Sequence, residues 1–276
     1  MKILISADFE GVSGVVHPDQ IYPDGKGYKD ALNRWHQELN AIVLGLREAG
    51  VKEIVINDSH NHMRNLDNSL IPNASVVLGW QRPYSMVYGV DQKFDACIFQ
   101  GYHSMSGSCS TLSHTYRPGI IKQVLLNKLP VGETGLNAAL AGYFNVPVIM
   151  VTGDEDICYE AQKLIGEQLV TVQTKKGLSR YSALSCPFDI NLDNLKLGAI
   201  KAIKQKSKWE VYKLQKPYTL SVTFSEPNHA DAAELIPDVK RSGPCEVTYT
   251  DKDYSVVFKC FLAMGALAKS RDEVIT

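Results

Sequence analysis

Asp8 and Glu10 stand two residues apart just beyond a short apolar run, Ile3 to Ala7. In extended backbone, side chains at i and i+2 point the same way, so both carboxylates can face one site while Phe9 packs away from it. Two carboxylates that close need a cation or a shared proton. Two further apolar runs, Glu53 to Asn57 and Asp95 to Gln100, end on Asp58-Ser59-His60 and Gly101-Tyr102-His103. Mixed Asp, Glu and His donors suit zinc or manganese, and a carboxylate-rich site can hold two such ions about 3.5–4 Å apart with one carboxylate bridging. Each residue also has a plainer reading. An Asp at a strand end commonly makes a turn or a cap, Asp58-Ser59 is a natural Asx-turn, and a lone His after a strand is more often structural than a ligand. Pattern alone leaves both readings open.

For these residues to meet, their strands must lie side by side with their carboxyl ends level, as in open α/β sheets, where ligands occupy the crevice outside those ends. The first half of the chain has the required alternation of strand-like and helix-like patterns. From Tyr28, the apolar residues Leu32, Trp35, Leu39, Ile42, Val43 and Leu46 recur at helical spacing, and Gly50 supplies a stop. Strands are expected at Ile3–Ala7, Glu53–Asn57, Ser75–Leu78, Asp95–Gln100, Ile120–Leu126 and Pro147–Val151, and a small-residue helix at Thr134–Phe144. Beyond Gln168 the pattern blurs. Helices are expected over Leu192–Lys204, His229–Leu235 and Tyr254–Ala268, and a strand over Thr219–Phe224. The fold class is α/β, a mostly parallel sheet with helices on both faces, plus a smaller C-terminal α+β unit. Lys175-Lys176-Gly177 divides residues 1–175, a metal-binding catalytic domain, from residues 176–276, which assign to oligomerisation and access to the site.

Composition narrows the function. Of 276 residues, 45% are hydrophobic and 21% charged, and no low-complexity tract occurs, which excludes disordered and fibrous classes. Twenty-nine basic against thirty acidic residues give a net charge of -1 with no basic stripe, so nucleic acid is not an expected partner. No apolar stretch approaches the ~20 residues that a bilayer demands, and the N-terminal run reaches Asp8 too soon for a signal-peptide core, so no membrane partner and a cytoplasmic location are expected. Cys97, Cys109, Cys158, Cys186, Cys245 and Cys260 form no CxxC pair and read as free, mostly buried thiols.

Five separated segments carry a family resemblance: Asp8-Phe9-Glu10-Gly11-Val12-Ser13-Gly14, Asn57-Asp58-Ser59-His60, Gly101-Tyr102-His103, Ser113-His114, and Val131-Gly132-Glu133-Thr134-Gly135-Leu136-Asn137-Ala138. In order and approximate spacing this set, spanning roughly residues 1–155, resembles the zinc-dependent D-aminopeptidases of the DppA type, peptidase family M55. The resemblance implies two zinc ions held by Asp8, Glu10, His60, His103 and Glu133, with Asp8 bridging, and His114 as the catalytic histidine. It also implies short peptides with N-terminal D-residues as substrates and a homo-oligomer, a decamer of stacked pentamers.

The chemistry fits these residue types. Peptide hydrolysis at a free amino end needs a nucleophile at neutral pH, a Lewis acid on the carbonyl oxygen, a seat for the α-amine and a proton for the leaving amine. Zinc lowers the pKa of a water it binds from about 15.7 to about 7, and a histidine such as His114, with an ordinary pKa of about 6.5, can move the proton. Glu133, just after Gly132 at a helix start, has three readings: ligand, general base or partner of the helix dipole. His62, two residues after His60, can support the site if its loop is extended. Asp58 reads as a residue that orients His60 or caps, and Asn137 as a substrate contact or a solvated helix face. His36 reads as a surface or boundary residue, and His17 and His229 as structural; Ser104–Leu112 reads as a mobile polar loop. Two other functions compete: a different dinuclear-metal amidohydrolase or phosphoesterase, and a non-enzymatic dipeptide-binding protein, which the missing export signal disfavours.

Overall fold

The computed structural model describes residues 1–271. In chain order its main elements are β1 (Lys2–Ala7), α1 (Tyr28–Glu48), β2 (Glu53–Asp58), β3 (Ser75–Val77), β4 (Ala96–Tyr102), β5 (Ile121–Leu126), β6 (Leu129–Pro130), α2 (Glu133–Tyr143), β7 (Val148–Asp154), α3 (Glu155–Ile165), β8 (Val170–Ser179), β9 (Ser182–Ser185), α4 (Phe188–Lys204), β10 (Tyr218–Phe224), α5 (Pro227–Ala233), β11 (Lys240–Gly243), β12 (Glu246–Asp251) and α6 (Tyr254–Lys269).

Seven strands form a sheet in the order β3-β2-β1-β4-β7-β8-β9. Its pairings are parallel except where β9 returns against β8. Alternate residues of β1 explain why both faces are covered. Ile3, Ile5 and Ala7 enter a core with Trp35 and Leu39 of α1 and Leu195 and Ala199 of α4. Leu4 enters another with Phe99, Leu136 of α2 and Ile157 of α3. A strand buried on both faces cannot alternate with polar residues, hence the continuous apolar runs. The expected mostly parallel sheet with helices on both faces is thus the architecture of the molecule.

The second sheet, β11-β12-β10-β5-β6, is antiparallel. It packs against α6, and Val124, Leu220, Val222, Phe224, Val247, Phe258 and Phe261 merge into the same core as Leu136 and Leu140. The two sheets interleave in sequence: residues 121–130 belong to the second, whereas β8 and β9 complete the first. Position 175, expected as a boundary, therefore lies inside a strand. The physical reason is that Lys175 is fully buried, although a Lys-Lys-Gly sequence reads as a solvated linker.

The elements not anticipated are β6, α3, β8, β9, β11 and β12. Helix α3 did carry a signal: the Asp154 side chain accepts from the Ile157 N–H as an N-cap, Glu155 and Asp156 fill the first turn, and Ile157, Ala161 and Ile165 are buried at spacings of four. All six cysteines are free; Cys97, Cys158 and Cys260 are buried and Cys109 is exposed. Among the described residues no helix is long and apolar enough to cross a membrane.

Candidate metal centre

Register brings the strand ends level. Ala7 pairs with Asp58 on one side and with Gln100 on the other, so Asp8, Glu10, His60 and His103 emerge together at the carboxyl edge of the sheet. Backbone contacts then hold the segment after β1 against the end of β4: the Asp8 N–H donates to the Gln100 carbonyl and the Gly11 N–H to the Gly101 carbonyl, each at 2.7 Å. Such an approach needs glycine on both sides. Gly101 has a φ of +68°, and a Cβ there would overlap the Asp8 carbonyl; one on Gly11 would overlap the Tyr102 carbonyl. Glu133 enters from the first turn of α2, and His114 from the loop after β4.

These six residues form one cluster. Asp8, Glu10 and His60 present ligand atoms within 4.8 Å of one another, as do Asp8, His103 and Glu133, and also Glu10, His103 and His114. The first two sets share Asp8: its Oδ1 lies 3.5 Å from His60 Nδ1 and its Oδ2 lies 3.5 Å from His103 Nε2. His60 Nδ1 is 3.0 Å from Glu10 Oε2, and Glu133 Oε1 is 3.5 Å from His103 Nε2 and 3.6 Å from His114 Nε2.

The outer nitrogens of the three histidines decide how the inner ones meet the carboxylates. His60 Nε2 lies 3.0 Å from the Ile21 carbonyl, His103 Nδ1 3.1 Å from the Ser104 carbonyl, and His114 Nδ1 2.9 Å from the Leu112 carbonyl. Each outer nitrogen therefore donates, which in the neutral ring leaves a lone pair on the nitrogen that faces the acids. Acceptors opposite acceptors require a proton or a metal ion between them. Asp8 Oδ2, buried and without a hydrogen-bond partner, makes the same demand.

The titration behaviour has that cause too. Burial and the neighbouring Glu10 hold the Asp8 carboxyl well above its ordinary range. Burial would lift Glu10 as well, but His60 beside it holds it well below. Burial alone would lower His103, yet Glu133, Glu10 and Asp8 carry it to about 10. His114 goes the other way: burial and the positive His103, stacked on it at 4.0 Å, lower it, so it stays neutral at pH 7. Three buried carboxylates are drawing in positive charge, and the donor set of Asp, Glu and His suits zinc.

Neighbouring residues hold this geometry. Asp58 does not face the cluster. Its carboxylate accepts from the N–H groups of His60, Asn65 and Leu66 and from the Asn65 side chain, which ties down the loop carrying His60. That is the orienting role expected of it. Asn137 departs from both of its expected roles: it is fully buried, bonding Tyr116, Tyr102 and Met86. His62 is not part of the cluster; half-buried, it stacks at 4.9 Å on Trp80, which lines the cavity. His36 is buried, not on the surface, because its Nε2 accepts the Asp67 N–H while Nδ1 meets the Leu32 carbonyl. His17 caps a short turn, a structural role.

Lys175, expected in a linker, is instead part of the support beneath the site. Its ammonium lies beneath the Asp8–Val15 segment and donates to the carbonyls of Glu10, Val12 and Val15. Burial lowers its pKa to about 8 although Asp154, Glu38 and Glu10 pull upward. No sequence signal marks a lysine as buried when a second lysine follows it. Arg117 went unremarked.

A cavity of about 590 Å³ opens over the cluster. Asp8, Glu10, His60, His114 and Glu133 form its floor, and its sides include Trp80, Arg82, Tyr116, Arg117, Leu262 and Lys269. The volume suits a small ligand such as a short peptide.

Comparison with known proteins bears on this site. A family model described as D-aminopeptidase, peptidase M55, matches residues 1–263. The D-aminopeptidase of Bacillus subtilis strain 168 is 34% identical over 278 residues, which cover 97% of this chain and 98% of that protein. The solved structure of the Zn-dependent D-aminopeptidase DppA from Bacillus subtilis, a self-compartmentalizing protease, matches with a TM-score of 0.94 at 31% identity and covers 98% of each chain.

Proposed function

The chain belongs to the peptidase M55 family of D-aminopeptidases, and we propose that its zinc-dependent reaction, removal of an N-terminal D-residue from a short peptide, takes place where Asp8 is shared between two ligand sets. One observation carries this assignment. Asp8 offers one oxygen to each set, while every histidine of the cluster has its outer nitrogen tied to a backbone carbonyl and its inner nitrogen turned to the acids.

In this reading Asp8, Glu10 and His60 hold one ion, and Asp8, His103 and Glu133 hold the other. Bound there, zinc supplies Lewis acidity toward the scissile carbonyl and a nucleophile at neutral pH. The protein contributes the rest. Glu10 and Glu133, as members of the two ligand sets, fix the floor on which the amino end of the substrate lies. His114, neutral and with its Nε2 facing the floor, takes a proton during attack and returns it to the leaving amine. Its Nδ1–H on Leu112 keeps the ring in the tautomer this needs.

Assembly follows the same line. The Bacillus subtilis relative is a self-compartmentalizing protease, and this chain is assigned a homo-oligomer, a decamer of stacked pentamers in the cytoplasm. In it, the carboxyl edge of the parallel sheet, with His114 and Glu133, serves as the catalytic part, and the antiparallel sheet with α6, which lines one side of the cavity, contributes to site access. Exposed Leu178, Tyr181 and Leu184 on the β8–β9 hairpin, at the edge of the first sheet, support burial of that edge between subunits.

A hydrolysis panel tests the activity. Zinc-loaded protein is expected to cleave D-aminoacyl peptides over their L-epimers, to ignore an aryl phosphate, and to lose activity to a chelator and regain it with zinc. Chelator-insensitive turnover, or none by the zinc-loaded protein, would overturn the reading.

A further inference from the structure

Three cationic side chains line the cavity, and they differ in what already occupies them. Arg82 is spent on backbone: its guanidinium donates to the carbonyls of Asp58 at 2.6 Å, Ser85 at 3.1 Å and Val77 at 3.2 Å. Lys269 is exposed at the rim. Arg117 is half-buried, its stem beside Gly265 of α6, and its guanidinium has no hydrogen bond or ion pair among the described residues. A guanidinium taken partly out of water without an acceptor is costly, because its five N–H donors lose hydration and gain nothing.

Arg117 also sits close to the chemistry. It directly follows Tyr116, whose N–H donates to Glu133 Oε1 at 2.7 Å. One cavity thus has the proposed reacting centre on its floor, where an aminopeptidase places the amino end of its substrate, and an uncommitted cation on its side. A peptide of two residues spans about 7 Å when extended, so its free carboxylate leaves the floor on the scale of the cavity. Guanidinium and carboxylate pair through two parallel hydrogen bonds, and half-burial strengthens the pair relative to open water.

We propose that Arg117 receives the free C-terminal carboxylate of the peptide substrate and so directs the enzyme toward very short peptides. The inference rests on the aminopeptidase reading and adds a specificity-determining residue to it. In longer or capped peptides no carboxylate reaches Arg117, and its desolvation goes uncompensated.

The test compares kcat/KM for D-alanyl-D-alanine and for its C-terminal amide, on zinc-loaded wild type, R117K and R117A, with zinc content and thermal melting measured for each. Wild type is expected to favour the free acid by at least ~10-fold, with the preference expressed mainly in KM. R117A brings that ratio to about one, and R117K, which keeps the charge but not the fork, falls between. A wild type that cleaves acid and amide equally, or an R117A that keeps the wild-type ratio, overturns the assignment of Arg117 while leaving the D-aminopeptidase activity standing. Zinc-loaded wild type that cleaves neither peptide overturns both. If R117A fails to melt cooperatively, the ratio in R117K decides alone: unchanged from wild type, it refutes the proposal.

Discussion

On the floor of the cavity, backbone groups fix the side chains before any ligand arrives. His60, His103 and His114 each have one nitrogen on a carbonyl, Glu133 accepts the Tyr116 N–H, and Asp8 accepts the Phe9 N–H. Along the side formed by residues 116–120 and α6 the arrangement is the reverse, for Arg117 and Lys269 have no committed partner among the described residues. The floor comes from one end of the parallel sheet, and the side from the connection to the antiparallel sheet and from its helix. The contrast teaches a division of labour: one region fixes reacting geometry, and the other leaves charge free to select what enters.

If the floor works by fixed geometry, damage there should fall on turnover and metal binding. The largest effect on kcat with the ions retained is expected for H114A, about 10²–10⁴-fold, the range for loss of a proton-transfer group. Near-normal turnover with full zinc content would remove that role. Next comes G101A, which carries no chemical group yet forces the Asp8 carbonyl away. A displacement of about 1 Å at a reacting centre can cost about 10²-fold, so kcat should fall on that scale, and unchanged kinetics would show the close approach to be dispensable. A smaller effect is expected for D58N, which sets an amide N–H₂ against N–H donors and loosens the His60 loop. Zinc affinity should drop about 10–100-fold, as for other groups that orient ligands, which competition with a chromophoric chelator would measure.

The same contrast explains what the sequence revealed. Asp8, Glu10, His60 and His103 were legible because short apolar runs end on them and parallel register makes strand ends converge. Helix α3 was legible in principle from its Asp154 cap. Lys175 was not, since its burial depends on β8 pairing with β7 at the edge of the first sheet and on contact with the Asp8–Val15 segment, at least 160 positions away in sequence. Asn137 misled for a similar reason. A short helix of small residues reads as one with a solvated side, but α2 is covered by both the first sheet and α6. Arg117 carried no signal, because what sets it apart is that no acid pairs with it among the described residues.

The central claim is that one carboxylate serves two metal positions, and zinc stoichiometry tests it most directly. By elemental analysis after exhaustive dialysis, wild type is expected to retain two zinc ions per chain, H60A one, and D8N neither, because both ligand sets lose their shared member at once. A wild type that holds a single ion, or a D8N variant that still holds two, would contradict the account.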